Sequence, residues 1–396
     1  MTTFLVLLTG YILSQFYRSF LAVIAPELSA ELHLSATDLG NISAAWFAAF
    51  ALMQFGVGAA LDRIGPKRTV SVLMLAGVAG ALLFSRAQSS NDAIAAMALI
   101  GVGCSPSLMG PLYIFARNHT AERFALLSSA MIGFGSIGNL LGGTPLALAQ
   151  QSFGWRSVFV GLAGLSLLSA LLAAALVRDP SRLSNHAQSP HGGVVYGLRE
   201  ILSIRGLWPI WPLMAVGYGV LIAERGLWVG PYLSDIHGLA PVERGHIILL
   251  MASAIVAGAF AYGPLEAWLG ERRKLVLAGS VVAGLGLLTL WYLPEPHIAV
   301  ATVTLCVFGF AGMTYGVMMA HIRRFIPEPI LGRGMSFANF LCMSGAGMLQ
   351  IFSGVYVDQL RASGLASSLV YARLHLALAA VLLVATAVYI WSSEKK

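Results

Sequence analysis

Two stretches of this sequence repeat one another: Pro26–Ile42 reads PELSAELHLSATDLGNI and Pro231–Ile247 reads PYLSDIHGLAPVERGHI. At a constant offset of 205 residues they share proline, Leu-Ser, an acidic residue, glycine and isoleucine. The match continues downstream with these pairs: Gly58 with Gly263, Gly65 with Gly270, and Lys67-Arg68 with Arg272-Arg273. Chance likeness between apolar stretches would not also match prolines and charged residues in the connections. The sequence therefore predicts an internal duplication.

The composition sets the environment of both copies. Of 396 residues, 58% are hydrophobic and only 10% are charged, which leaves too little polar surface for a water-soluble chain. A helix that crosses a bilayer needs about 20 apolar residues. Twelve apolar runs qualify as spans: 4–25, 39–61, 70–87, 93–115, 124–149, 156–177, 207–233, 243–268, 274–293, 297–320, 333–357 and 370–392. We predict an all-α membrane protein with twelve transmembrane helices.

The longest polar interruption divides these spans into two sets of six. It carries Pro180, Pro190 and two glycines, which is typical of a linker. We predict an N-terminal six-helix bundle over 1–177, a linker over 178–206 and a C-terminal six-helix bundle over 207–396. The first run lacks a basic leading segment and contains Arg18, so we interpret it as a helix and not as a signal peptide.

The basic residues report the orientation of the chain. Most of the 24 Lys and Arg residues fall in the even-numbered connections or on the C-terminal tail. The odd-numbered connections hold five: Arg86, Arg156, Arg244, Arg361 and Arg373. This asymmetry predicts that both termini are cytoplasmic, because positively charged loops stay inside. The net charge of +7 thus needs no nucleic-acid partner.

The connection between the second and third spans carries a family signature. It runs Gly58-Ala-Ala-Leu-Asp62-Arg63-Ile-Gly65-Pro-Lys67-Arg68 and resembles the loop motif of the major facilitator superfamily. With twelve spans and a duplication, the resemblance covers nearly the whole chain. It implies two pseudo-symmetric bundles and a latch, formed by these residues, on the cytoplasmic side. In physical terms, Gly58 would allow close helix packing and Asp62 would cap a helix or form a salt bridge. In the second copy Ala267 replaces Asp62, with Glu266 one residue earlier.

Two arginines inside predicted spans are the main functional candidates, because charge in a membrane is costly. In the first span, helical spacing gathers polar side chains on one face: Tyr11, Ser14, Gln15 and Arg18. In the seventh span, a similar stripe holds Tyr218, Arg225, Trp228 and Tyr232. The duplication predicts that the two arginines face one another and bind an anion. Alternatively, each could extend to the outer interface.

The segments around Arg18 also resemble the first helix of the organic anion transporters in this superfamily. The similarity rests on Tyr17-Arg18, Ala25-Pro26-Glu27-Leu28 and the run that begins at Leu34. It implies a substrate role for Arg18, and some members also use an arginine on the seventh helix, which matches Arg225. The resemblance extends to no other site residue.

Coupling and gating have weaker candidates. Glu224 is the one carboxylate clearly inside a predicted span and could exchange a proton, or pair with another helix. Gly138, Gly142 and Gly143 partly match a glycine pattern of the antiporter branch and suit close packing. Met97 stands where that branch has arginine, which disfavours a drug antiporter. Several polar residues could line a cavity or bond neighbouring helices: Gln54, Tyr113, Asn139, Tyr315, Asn339 and Gln350.

These features predict a secondary transporter that moves a small organic anion, carrying a carboxylate or a phosphate, by alternating access, with proton coupling or exchange. The alternative is a proton-driven exporter of hydrophobic or zwitterionic compounds, such as drugs or siderophores. A ligand sensor is disfavoured because no cytoplasmic domain fits between the spans. No catalytic set, metal-ligand spacing or nucleotide loop occurs, so no enzyme, metal or cofactor is predicted. We expect a monomer in the plasma membrane, or in the inner membrane of a Gram-negative cell.

Overall fold

The computed structural model describes residues 2–180, 200–327 and 330–393, and within them the backbone forms helices and turns without strands. The first half contains α1 (Thr2–Phe16), α2 (Leu21–Leu32), α3 (Ala36–Arg63), α4 (Pro66–Ser85), α5 (Ser90–Cys104), α6 (Met109–Asn118), α7 (Ala121–Gly135), α8 (Ile137–Leu141) and α9 (Thr144–Leu176). The second half contains α10 (Trp211–Ala223), α11 (Val229–His237), α12 (Pro241–Leu269), α13 (Arg272–Tyr292), α14 (Ile298–Ala311), α15 (Tyr315–Arg323), α16 (Leu331–Ala362) and α17 (Ser367–Tyr389). The all-α prediction is confirmed.

The number of spans agrees with the sequence. Within the described ranges, 11 continuous helical segments are long and apolar enough to cross a membrane. The pair α1 and α2, bent by 53°, makes a twelfth span if the two helices count as one. In α9, Gly154 has a φ of 75° that interrupts the helix. This glycine separates 144–153 from 155–176, close to where the sequence places the connection between the fifth and sixth spans. The central part of the predicted linker, 181–199, lies outside the described residues.

The duplication is visible in the backbone. His33, after α2, and Gly238, after α11, both adopt a left-handed conformation, with φ of 54° and 61°. The next helix begins in the same way in each copy: the Asp38 carboxylate accepts the Ser35 backbone N–H at 2.9 Å, and the Glu243 carboxylate accepts that of Ala240 at 2.9 Å. A carboxylate at this place satisfies a backbone donor that the helix leaves unpaired. Residues that are 205 positions apart in the sequence thus adopt the same local backbone structure.

The chain contacts cluster into two compact units. The first comprises Met1–Arg182, Gly226–Ser234 and Gly238–Leu249, and the second comprises Leu183–Arg225, Asp235–His237 and Leu250–Lys396. In the first unit α4 packs against α5 and α9, and in the second α16 packs against α10. The first unit has a buried apolar cluster that includes Leu7, Met74, Phe115 and Met131. The bundle boundaries at 177 and 207 stay a prediction.

Three of the five arginines assigned to odd-numbered connections lie in ion pairs. Arg156 contacts Glu31 at 2.8 Å, Arg361 contacts Asp235 at 3.0 Å, and Arg244 contacts Glu27. Each carboxylate belongs to α2 or α11, the C-terminal parts of the first and seventh spans. The ion pairs thus join three of these arginines to the C-terminal parts of the first and seventh spans.

Candidate functional site

The first span breaks at the position of Arg18. Residues 17–20 form a turn between α1 and α2, so Arg18 projects from a discontinuity and not from a continuous helix. Aromatic packing holds this turn in place: the Phe20 ring lies 5.0 Å from Phe159 and 5.6 Å from Phe84, and the last two stack at 4.3 Å. Phe20 is fully buried. Broken helices often form substrate sites in transporters because unpaired backbone groups are tolerated only where protein or water surrounds them.

The Arg18 guanidinium lies against two aromatic rings of α3. Its central carbon is 4.9 Å from the Trp46 ring centroid and 5.0 Å from that of Phe50. These two rings are themselves stacked, with centroids 4.9 Å apart. No carboxylate in the described ranges lies within ion-pair distance of Arg18. The Nε atom of Arg18 is buried and has no hydrogen-bond acceptor in the same ranges. The aromatic faces partly offset the cost of the charge, and the arginine keeps donors for an external anion.

The other residues of the predicted polar face are placed unevenly. Gln15 donates to the Tyr11 hydroxyl at 3.1 Å, so these two lie together as the helical spacing requires. Tyr11 is only 4% exposed and belongs to the buried apolar cluster. Ser14 is fully buried, and its hydroxyl lies beside the Cys104 thiol. A substrate role for these three residues stays a prediction.

The glycines of the fifth span lie close to α1, to the turn that follows it and to α12. A methyl group at Gly138 would lie 2.1 Å from the Ile12 carbonyl oxygen, and one at Gly142 would lie 2.6 Å from the Ser19 hydroxyl. A methyl group at Gly143 would lie 3.0 Å from the Cα of Leu249, in α12. The glycines therefore let two helices approach more closely than side chains would permit.

The seventh span has its own irregularity at Arg225. Residues Glu224–Trp228 form a π-helix between α10 and α11. π-Helical turns are rare and occur frequently at functional sites. Arg225 is 3% exposed and Trp228 is 1% exposed. Tyr218, about two helical turns before Arg225, lies beside Tyr315 with ring centroids 5.7 Å apart.

Glu224 has a partner on the last span. Its Oε1 lies 3.4 Å from Nε2 of His375 in α17, and both side chains are fully buried. The second carboxylate oxygen, Oε2, has no hydrogen-bond partner in the described ranges. The sequence reasoning foresaw pairing of Glu224 with another helix but did not name His375. A signal was available, since a histidine inside an apolar run is unusual in a membrane segment.

The loop motif after α3 forms a set of polar contacts. Asp62 accepts a hydrogen bond from Tyr113 at 2.9 Å and pairs with Arg117 at 3.4 Å. Gly65 has a φ of 91°, and its α-carbon faces the Asp179 carboxylate. Asp179, which the sequence reasoning missed, accepts the Lys67 backbone N–H at 2.8 Å and so caps α4.

Two expectations for this motif need adjustment. A methyl group at Gly58 would meet no described atom within 4 Å, so the close packing expected of Gly58 is wrong for this structure. In the second copy, Glu266 forms an ion pair with Arg272 despite its shift by one residue. The side chains of Arg63 and Arg68 are exposed. The latch role of the motif stays a prediction.

Four of the uncertain polar residues take part in bonds to neighbouring helices or their ends. Tyr113 contacts Asp62, Gln54 donates to the Ser105 carbonyl at 3.3 Å, and Tyr315 donates to Asn339 at 3.0 Å. These bonds favour the interhelical alternative for those side chains.

The fold agrees with the comparisons. The model of the Major Facilitator Superfamily matches residues 7–351. The chain belongs to the Major Facilitator Superfamily. This transporter is therefore a multi-pass protein of the plasma membrane, in a family that transports small molecules and does not catalyse reactions. A solved structure of a bacterial homolog to the human lysosomal transporter Spinster has the same fold, with a TM-score of 0.80, 18% identity, and coverage of 99% of this chain and 96% of that one.

Three proteins of similar sequence have names that state what they transport. A gentisate transporter of Corynebacterium glutamicum is 27% identical over 89% of this chain and 79% of its own length. A probable L-galactonate transporter of Escherichia coli is 24% identical over 90% and 83%. A tetracenomycin C resistance and export protein of Streptomyces glaucescens is 23% identical over 73% and 65%. Two of these three are named for carboxylate-bearing compounds.

Proposed function

We propose that this transporter moves a small organic anion across the plasma membrane by alternating access. The carrying observation is Arg18, a permanently charged group in a membrane span that has aromatic neighbours and no carboxylate partner in the described ranges. An unpaired guanidinium in that setting favours a carboxylate or phosphate ligand, because two parallel N–H donors match its oxygens. The relatives named for gentisate and galactonate support the carboxylate class.

Arg225 is the proposed second contact. It is 3% exposed, and it lies in the π-helical turn of the seventh span. Arg18 and Arg225 stand at matching places in the duplicated sequence, and both sit where a span departs from α-helical geometry. Local departures of this kind absorb backbone changes during gating and therefore suit an alternating-access cycle.

Uptake by proteoliposomes tests the anion assignment. Purified protein is offered radiolabelled gentisate, galactonate and a hydrophobic cation, and the variants are Arg18→Gln and Arg225→Gln. Hydrogen bonds to charged groups contribute about 1.5–3 kcal/mol, so we expect roughly 10- to 100-fold weaker uptake of the carboxylate in each variant. Arg86→Gln, which changes an exposed arginine after α4, is the matched control and should behave as the wild type. Uptake of the cation without any carboxylate, or full carboxylate uptake in both variants, would refute the proposal and favour the exporter.

The topology and assembly are part of the same proposal. We propose cytoplasmic termini, bundles over 1–177 and 207–396, and a monomer as the transporting unit. The charge asymmetry of the connections supports the orientation. Reporter fusions after Arg272 and after Arg361 test it: a cytoplasmic reporter should be active at the first site and a periplasmic reporter at the second. The opposite pattern would reverse the orientation.

A further inference from the structure

The thiol of Cys104 lies at the centre of a small polar cluster that includes Arg18. The Ser14 hydroxyl and the Trp46 indole N–H both lie beside this thiol, and the positive charge of Arg18 acts on it. Ser14 and Trp46 are completely buried, and Cys104 is 6% exposed. The first, second and fourth spans therefore each contribute to this cluster of four residues, which we call the thiol cluster.

The packing of α5 against α3 places the thiol beside the Trp46 ring. A methyl group at Gly101 would lie 2.5 Å from the Trp46 carbonyl oxygen, so the two helices are in backbone contact about one turn before Cys104. Directly after Cys104, the Ser105 carbonyl accepts a hydrogen bond from Gln54 at 3.3 Å. Cys104 is the last residue of α5 and lies between these two contacts. The backbone that carries the thiol is therefore held on both sides.

Three hydrogen-bond donors of the thiol cluster lack a strong acceptor. Ser14 Oγ, Trp46 Nε1 and Arg18 Nε are buried, and none of them bonds to an oxygen or nitrogen atom of the described residues. The sulfur of Cys104 is only a weak acceptor. Because a buried donor without a good acceptor is costly, an oxygen atom of a ligand would be stabilised here. It can reach the thiol cluster from Arg18, whose side chain is partly exposed.

The charge of the thiol cluster decides which kind of oxygen fits. Arg18 supplies its positive charge, whereas the serine, indole and thiol groups are neutral. One carboxylate balances Arg18, so a second carboxylate would be buried without a counter-charge, which is costly. A hydroxyl oxygen is neutral and accepts hydrogen bonds. Ser14 lies about one helical turn before Arg18, roughly 5–6 Å away, so a hydroxyl adjacent to the carboxylate of a ligand can reach both residues.

We infer that Ser14, Trp46 and Cys104 form a hydroxyl subsite beside Arg18, which selects monovalent carboxylates that bear a hydroxyl adjacent to the carboxylate. The inference rests on the proposed anion function. The carboxylate binds Arg18, and the adjacent hydroxyl accepts hydrogen bonds from Ser14 and Trp46 in place of the thiol. Cys104 is a positioning residue, because a weak acceptor keeps both donors in place and competes little with the ligand for them.

Matched pairs of acids test the hydroxyl subsite. Gentisate and 3-hydroxybenzoate differ only in the hydroxyl next to the carboxylate, and galactonate and 2-deoxygalactonate differ in the same way. The better transported of labelled gentisate and galactonate is offered to proteoliposomes, and each acid of the corresponding pair competes with it. The ratio of the two apparent affinities is the hydroxyl preference, which we expect to be about three- to tenfold in the wild type. Because both affinities come from one preparation, a lower yield of folded protein leaves the ratio unchanged.

Variants of Ser14 and Cys104 separate the subsite from general packing. Ser14→Ala removes one donor, so the hydroxyl preference should fall by about twofold or more. Cys104→Ser puts a stronger acceptor of similar size beside both donors and should also lower the preference. Cys104→Ala removes the acceptor, so the preference should equal or exceed that of the wild type. Cys306→Ser is the matched control, because Cys306 is a free cysteine of α14 in the second unit, and it should keep the wild-type ratio.

The outcomes distinguish the inference from the proposed function. Equal affinity of the wild type for both acids of a pair overturns the hydroxyl subsite and leaves anion transport standing. A wild-type preference in either Ser14→Ala or Cys104→Ser has the same consequence. An equal fall of the preference in Cys104→Ser and Cys104→Ala contradicts the positioning role of Cys104. If the wild type transports neither gentisate nor galactonate, the proposed function itself fails.

Discussion

Replacement of Gly138 by alanine tests whether close packing of the fifth span sets the position of α1. The added methyl carbon would start 2.1 Å from the Ile12 carbonyl oxygen, whereas real Cβ atoms essentially never approach closer than 3.0 Å. The helices must therefore separate by about 0.9 Å at this point. Because the obstacle is backbone, no side-chain rotation relieves it.

The magnitude follows from two opposing terms. Overpacking costs about 1–3 kcal/mol, and exchange of glycine for alanine inside a helix returns roughly 1 kcal/mol. Gly161→Ala gives the second term alone, since a methyl group there meets no described atom within 4 Å. The two variants should thus differ by about 1–3 kcal/mol, or about 2–4 °C in melting temperature per kcal/mol for a cooperative unit of this size.

The assay is thermal unfolding of purified protein in detergent, followed by tryptophan fluorescence. Gly142→Ala should fall between the other two variants, because its obstacle is the Ser19 hydroxyl, which can rotate away. A melting temperature for Gly138→Ala equal to or above that of Gly161→Ala would refute the packing argument. The displaced α1 ends at the turn that carries Arg18, so anion uptake should fall as well.

Three further changes have definite expectations. Asp179→Ala removes the carboxylate that caps α4, which should cost about 1 kcal/mol; thermal unfolding measures this, and an unchanged midpoint contradicts it. Trp46→Leu removes one of the rings that contact the Arg18 guanidinium, and with it a cation–π interaction of roughly 1–2 kcal/mol. Anion affinity should therefore weaken about five- to thirtyfold in a binding assay. An affinity equal to that of the wild type would exclude a positioning role for Trp46. Gly65→Ala places a methyl group 2.7 Å from the Asp179 carboxyl at a residue with a φ of 91°, so it should lower the free energy of unfolding by more than about 1 kcal/mol. Gly58→Ala adds a methyl group in open space and should be close to neutral in the same unfolding assay.

The sequence predicted the helices well because local composition controls them. A bilayer offers no hydrogen-bond partners, so an apolar run of sufficient length forms a helix whatever lies beside it. The duplication was equally readable, since matched turns need matched residues: a left-handed residue at His33 and Gly238, and a carboxylate three residues after Ser35 and Ala240. Arg18 and Glu224 stood out from the sequence alone because charge is rare in such segments.

The partners of those charges required the tertiary structure. Trp46 lies 28 residues from Arg18, and His375 lies 151 residues from Glu224, so no local pattern joins them. The turn at 17–20 and the π-helix at Glu224–Trp228 were also absent from the hydropathy pattern, because a local change in backbone hydrogen bonding leaves composition unchanged. The sequence by itself determined how often the chain crosses the membrane and which buried charges invite a ligand. Only the packing of distant helices decided what each charge touches, because long-range contacts depend on shape complementarity between helix faces that are far apart along the chain.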